Sequence, residues 1–370
     1  DSSGILNKHM NHRKKVTHGS DKTDLSSSAR PGILLLFLAV IFYLGWISYK
    51  NNSDSPRFYS KNDSSTSTST STSSSTVDAV STISATLPVF DAEAYDKKML
   101  SLANLTPIKV ESTASSSTTT PTYIQATSSR GWPVQAAYPK QGALLPFNRI
   151  VAYYGNFYSK KMGVLGEYPT DVVISKLQEE VKKWNLADPF TPAIPAIHYI
   201  AAVAQADAGR DGDYLARMPH EEINKAVSMA EEVKGIMFLD LQMGHSTVVE
   251  EVRAIEKYLS LPQVHLGLDP EFAMKTGKKP GVYIGSLDAS EINQAAEILA
   301  KIVRDNNLPP KMLLIHRFTD NMVTNVQNIK PLPEVQIIMD MDGWGSPELK
   351  KATYRQVIHI RQISRFAMCH

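Results

Sequence analysis

The chain has 370 residues, room for two average domains or one large α/β domain, and its formal net charge is only +2. So even a balance gives no broad basic field and argues against nucleic acid as a partner. The single cysteine, Cys369, excludes an intrachain disulfide and any cysteine-built metal centre.

The N-terminal residues 1–30 form a basic tail, with Lys8, Arg13, Lys14, Lys15, Lys22 and Arg30. Residues 31–49, PGILLLFLAVIFYLGWISY, carry no charge and approach the ~20 apolar residues that a helix needs to cross a bilayer. Tyr43, Trp46 and Tyr49 sit towards one end like an interfacial belt. The segment is longer than the apolar region of a cleaved signal peptide and has no small-residue cleavage site after it. It reads as a transmembrane signal anchor, single-pass in the cell membrane. The positive-inside rule keeps the tail cytoplasmic and places the rest of the chain outside.

Residues 50–131 are a Ser/Thr-rich extracytoplasmic linker, including DSSTSTSTSTSSSTVD from Asp63 and ESTASSSTTTPT from Glu111. Such tracts bury too little apolar surface to offset chain entropy, so disorder is expected. Between them, Leu87–Asn104 shows helical spacing at Phe90, Tyr95, Met99 and Leu102. It reads as a short docking helix, a recognition motif or an unordered stretch.

From residue 132 to 370 strands and helices alternate. The predicted strands are Arg149–Phe157, Ala196–Gln205, Gly235–Gln242, Val264–Phe272, Lys311–Phe318 and Val335–Gly345. The predicted helices are Thr170–Leu186, capped by Thr170 or Asp171, Pro219–Val233, capped by His220, Ser246–Leu259, Ala289–Asn306 and Thr319–Ile329. A short helical start follows near Pro347–Tyr354. The strands are brief apolar runs, as parallel strands covered on both faces must be. Strict alternation implies a parallel sheet with helices outside. A (β/α)8 TIM-type barrel is the leading topology and an open doubly wound sheet the second. Six units are present, Gln356–Ile360 offers a seventh strand, and an eighth has no room, so the barrel is expected to be truncated after six to seven units.

In a parallel barrel the site lies at the C-terminal strand ends. These ends supply Tyr153, Tyr154 and Asn156, then Asp240 and Gln242, Asp269 and Glu271, His316 and Arg317, and finally Asp340, Asp342 and Trp344. The pairs Asp240/Gln242, Asp269/Glu271 and Asp340/Asp342 are spaced so that both members share one face of a strand. If they face inward, several carboxylates meet at one mouth. Repulsion and desolvation then raise the pKa of at least one, giving a proton donor beside an ionised base or nucleophile. Glycoside hydrolysis uses that combination. Tyr153, Tyr154, Phe272 and Trp344 are placed to stack on sugar rings.

Several of these residues also have structural readings. Asp269 and Glu271 also suit capping of the following loop or pairing with Lys275, Lys278 and Lys279, and Asp342 before Gly343 suits a turn. Arg317 or His316 suits a structural pairing with an aspartate, and His198, inside an apolar run, reads as a core histidine.

The stretches AYYGNFYSKKMGVLGEYP, HLGLDPEFAM, LLIHRFTDNMV and VQIIMDMDGWGSPELKK resemble an uncharacterised family of bacterial membrane-anchored or lipoprotein-like proteins. The region from Trp132 to Tyr354 resembles glycoside-hydrolase-type TIM barrels. Asp269–Glu271 is similar to the D-x-E at the fourth strand of muramidase-type barrels, which implies Glu271 as the acid. The first-strand aspartate of those barrels has no counterpart in AYYGN. The resemblance implies a polysaccharide or glycan substrate for Glu271, Asp269, Asp340 and Asp240.

No cofactor is implied, since no G-x-G-x-x-G turn follows the first strand, and no H-x-H or H-E-x-x-H pattern marks a metal site. Two alternatives stay open. One is a divalent-metal-dependent hydrolase using Asp240, Asp269, Glu271, His316 and Asp340. The other is a non-catalytic carbohydrate-binding surface protein or inactive barrel.

Overall fold

The computed structural model describes residues 89–102, 137–275, 277–341, 346–357 and 367–369. The anchor at 31–49 and the site candidates Asp342 and Trp344 lie outside the described residues. Among the described residues no helix is long and apolar enough to cross a membrane.

Seven parallel strands form one sheet. They are β1 (Arg149–Gly155), β2 (Ala193–Ala204), β4 (Ile236–Gly244), β5 (Val264–Ala273), β7 (Lys311–Arg317), β9 (Val335–Met341) and β10 (Ala367–Cys369), paired in that order. A short β3 (Leu215–Arg217) adds to β2 in antiparallel sense. Helices connect the strands: α2 (Val164–Glu167) and α3 (Thr170–Ala187), α4 (His220–Glu232), α5 (Val248–Ala254) and α6 (Glu256–Leu259), α7 (Ala289–Asp305) and α8 (Pro347–Val357).

The helices present apolar stripes to the sheet. On α4 these are Ile223, Ala226, Val227 and Ala230, and on α7 Ile292, Ala295, Ala296, Leu299 and Val303, all buried at helical spacing. They join the outer faces of the strands in one large cluster. A second, smaller core fills the inner face, made of Ala196, Ile236, Phe238, Met312, Leu314 and Ile338. Leu144 and Leu145, ahead of β1, pack beneath it. The Leu145 N–H and C=O hydrogen-bond the Gln336 side chain of β9 at 3.2 and 2.8 Å, tying the segment before β1 to the far side of the sheet.

Cores lie on both faces of the sheet, and the sheet is strongly curled. The Tyr154 ring of β1 lies 5.8 Å from the His316 ring of β7, four strands away. In a flat sheet four spacings would separate them by about 19 Å. The fold is a TIM-barrel-like curl that is open among the described residues.

The structure corrects several expected elements. Neither Thr170 nor Asp171 caps α3; its N-cap is Pro169, without a side-chain cap bond. His220 does not cap α4 either: Pro219 does, and the His220 Nδ1 lies 3.1 Å from the Tyr258 hydroxyl. The helix expected at Ser246–Leu259 breaks at the buried Ile255 into α5 and α6, with Thr247 as cap. Gln356 and Val357 end α8, and the strand beside β9 is β10, further along the chain.

The helix expected at Thr319–Ile329 is absent. Two 3-10 turns, Asp320–Met322 and Val326–Asn328, flank β8 (Val323–Thr324), which pairs with β6 (Leu287–Asp288). Arg317 binds the carbonyls of Thr319 and Asp320 at 3.2 and 3.0 Å, competing with the ladder an α-helix would need. Asn325 sits in the left-handed region at φ 52, which also ends helical propagation.

Within 87–104, α1 (Ala92–Leu102) forms and docks. Phe90 and Tyr95 pack on Tyr138, Tyr95 on Phe147, and Lys98 Nζ donates to Thr191 Oγ1 at 2.7 Å. Of the three readings of Leu87–Asn104, the short docking helix is the one observed.

Candidate active site at the strand ends

The inner face changes character one pleat step above its apolar core. Ala196 is followed by His198 on β2, Phe238 by Asp240 on β4, Leu314 by His316 on β7 and Ile338 by Asp340 on β9. Alternation turns each of these towards the same interior.

Asp240 is at the centre and has no exposed surface. Its Oδ1 lies 3.6 Å from His198 Nε2 and 3.4 Å from His316 Nε2. Its Oδ2 accepts from the Tyr154 hydroxyl at 3.4 Å. His316 turns its other nitrogen, Nδ1, to Asp340 Oδ2 at 3.5 Å. The two imidazoles are stacked with centroids 5.3 Å apart, and the Tyr154 ring meets His198 edge-on at 4.9 Å. Burial works to raise the Asp240 carboxyl pKa, but the neighbouring His316 and His198 outweigh it and hold the group below the usual carboxylate range. The acid is thus kept ionised in a dry place. One donor atom from each of His198, Asp240 and His316 lies within 4.8 Å of the others, a spacing that can hold a metal ion.

A second set lies nearer the strand tips. Gln242 Oε1 accepts from Ala204 N–H at 2.7 Å, and its amide reaches Asp269 Oδ2 at 3.5 Å. Asp269 Oδ1 accepts from the Glu271 N–H at 3.1 Å. The Glu271 carbonyl accepts from Gly285 N–H at 2.6 Å, so its backbone is fixed on both sides. Glu271 is half-buried, where β5 leaves its register with β4. Of the three lysines considered as partners for this pair, Lys275 pairs with Glu291 and Lys278 lies over the Tyr283 ring at 4.7 Å.

Other candidates sit apart from the cluster. Tyr153 points to the outer face, beside Glu179, Glu180 and Lys183 of α3, because its chain neighbour Tyr154 takes the inner one. Asn156 is structural: its amide donates to Ile200 O at 3.0 Å and its carbonyl oxygen accepts from Tyr158 N–H at 2.9 Å. Arg317, opposite in sense to His316, is buried against its own loop and pairs with Asp320, so it does not reach the carboxylates. Phe272 is buried with Ala204 and Leu215, not open at a rim. His198, expected as a core histidine, is buried and also turns its Nε2 towards Asp240 Oδ1. Its signal was a polar side chain at the inward parity of a strand whose other inward residues are apolar.

No family model matches the chain, and no curated protein matches it. Among solved structures it is distantly similar to XEG5A, a GH5 xyloglucan-specific endo-β-1,4-glucanase from a metagenomic library, in complex with cellotriose. The identity is 13%, the TM-score 0.26, and the match covers 48% of this chain and 64% of that one. It is also similar to cellobiohydrolase II (Cel6A) from Humicola insolens, in complex with glucose and cellotetraose. Here the identity is 12% and the TM-score 0.24, covering 48% of this chain and 61% of that one. The match spans less than two thirds of either enzyme. Likenesses this distant carry no functional inference.

Proposed function

We propose that the protein is a membrane-tethered extracytoplasmic hydrolase of a cell-envelope or surface glycan, with its reacting carboxylates at the mouth of the curled sheet. The supporting observation is the convergence of Tyr154, His198, Asp240, His316 and Asp340, from five different strands, on one point at the strand ends. A fold gains little stability by gathering such groups in its interior, since each loses hydration. That cost supports reading the cluster as a working site.

The side chain of Asp340 is 27% exposed, while that of Asp240 is enclosed. Asp340 therefore meets the substrate, and Asp240 orients the imidazole behind it. In this reading Glu271 protonates the leaving oxygen, and Asp340 acts as base towards water or as nucleophile towards the sugar. Asp269 sets the β5 tip through the Glu271 N–H. The tether is the uncharged segment 31–49.

The test is reducing-end release from a panel of envelope polysaccharides by the full chain. Wild type releases product, and Asp340→Asn and Glu271→Gln each slow it by about 100-fold or more. The reading fails if wild type releases nothing from any glycan, or if both variants keep the wild-type rate. Glycan binding without turnover would assign a carbohydrate-binding role instead.

A further inference from the structure

We propose that His198 Nε2, Asp240 Oδ1 and His316 Nε2 are the three protein ligands of a divalent transition-metal ion of the zinc type. The proposal is independent of whether the substrate is a glycan.

Distance is the first argument. The Asp240 oxygen stands 3.6 and 3.4 Å from the two imidazole nitrogens. That is beyond the 2.7–3.2 Å of an N–H···O hydrogen bond. Atoms bonded at ~2.0–2.1 Å to one tetrahedral ion stand about 3.3–3.4 Å apart. The spacing therefore suits ligands of a shared ion better than hydrogen-bonded partners.

Satisfaction is the second. His198 is 4% exposed and Asp240 0%. Neither His198 Nε2 nor Asp240 Oδ1 has a hydrogen-bond partner. A buried polar atom left unsatisfied costs about 1–3 kcal/mol, and more when charged. A cation between them removes that cost.

Space is the third. A Cβ on Gly267 of β5 would lie 2.4 Å from Asp240 Oδ1 and 3.1 Å from His198 Nε2. Gly267 does not have the positive φ that would call for glycine. What requires glycine there is the room it leaves beside the two ligand atoms.

The surroundings complete the case. Asp340 Oδ2 stands 3.5 Å from His316 Nδ1, close enough for a small shift to complete the carboxylate–histidine–metal arrangement when the imidazole binds an ion. The Tyr154 hydroxyl lies 3.4 Å from the second oxygen of Asp240. Two imidazoles and one carboxylate suit zinc and neighbouring divalent ions, and three protein ligands leave a fourth position for water. Water on such an ion loses its proton near neutral pH and becomes a nucleophile.

The experiment uses the full chain, stripped with chelator and dialysed, then titrated calorimetrically with Zn2+. One ion binds at micromolar concentration or below, and Zn2+ raises the melting temperature by mass action. His198→Ala and Asp240→Asn, each checked for folding by circular dichroism, weaken binding by more than about 100-fold, and Asp340→Asn by about 10–100-fold. No binding at millimolar Zn2+ overturns the site. Equal affinity in folded His198→Ala and Asp240→Asn also overturns it, placing the ion elsewhere, such as on His9, His12 and His18 of the tail. If those two variants do not fold, the visible spectrum of the cobalt(II)-loaded wild type decides. Intense tetrahedral-type bands support the site, and a weak octahedral spectrum refutes it.

Discussion

The lower and upper halves of the sheet interior are built by the same four strands and differ by one pleat step. Ala196, Phe238, Leu314 and Ile338 close the lower half in an apolar core. His198, Asp240, His316 and Asp340 occupy the next inward positions. The lower layer excludes water and fixes the strands, and the upper layer inherits that rigidity. A polar cluster with contacts of 3.4–3.6 Å depends on that support, because small strand shifts would undo it.

The sharpest way to break this pairing is at Phe238. The rings of His198 and His265 lie 5.4 and 5.5 Å from it, so it supports the upper layer directly. Phe238→Ala should cost about 3–5 kcal/mol of stability, measured by urea unfolding. It should also weaken Zn2+ binding without touching a ligand. Unchanged zinc affinity would show that the two layers are uncoupled.

The lower end contains a buried lysine, Lys311 at the start of β7. Its Nζ donates to the carbonyls of Pro262 and Val264 at 3.3 and 2.9 Å and also to that of Leu261. Those acceptors favour the ammonium, but burial outweighs them and pushes the pKa down to about 7. The unfolded lysine titrates near ~10.4. Between these values the unfolded chain binds more protons, so stability rises with pH. The contribution is complete above the unfolded pKa and lost as pH falls through about 7. Unfolding free energy should increase by a few kcal/mol, on the order of 2–4, between pH 7 and 10. Lys311→Met should flatten that slope. His265, held neutral by burial, acts in the same sense below its ordinary pKa of ~6.5, outside this window.

A smaller effect separates neighbours in the chain. Tyr154 faces Asp240, and Tyr153 faces α3. Tyr154→Phe removes a donor to a charged acceptor and should lower turnover or zinc affinity by about tenfold, near 1.5 kcal/mol. Tyr153→Phe should leave both unchanged. Equal losses in the two would mean that the strand's facing does not decide its chemistry.

The six leading strands and most of their helices were legible because short apolar runs and amphipathic stripes report burial directly. Asp240, Asp269, His316 and Asp340 were legible because acids and imidazole are out of place in such runs. His198 was not, since its depth relative to Asp240 depends on strand stagger, which sequence does not specify. Tyr153 and Arg317 were misplaced for a related reason. Each adjoins an inward residue, and a single residue of register reverses the facing. The helix expected at Thr319–Ile329 failed because Arg317 binds its first carbonyls, Asn325 turns left-handed, and Asp288, distant in sequence, holds Thr324 and Asn325.

Asp288 is the distant competitor and allows the smallest and most specific test. It caps α7 through Ser290, in a capping box with Glu291. Its Oδ2 also accepts from Thr324 Oγ1 at 2.8 Å and Asn325 Nδ2 at 2.6 Å. One carboxylate thus starts a helix and holds the segment that does not become one. The hydrogen bonds from Ser290, Asn325 and Thr324 hold its pKa below the ordinary range. Its contribution is present above the unfolded pKa of ~3.9 and lost as pH falls below it. Asp288→Ala should cost about 1 kcal/mol at neutral pH. It should raise amide exchange at β8 as well as at the first turn of α7. Loss confined to α7 would show that the 323–325 segment is held by β6–β8 pairing alone. Asp288→Asn, which keeps the cap and loses the charge, should restore most of the stability and remove the acid-side dependence. The upper layer of the interior is untouched by either change, so zinc affinity should stay at the wild-type value.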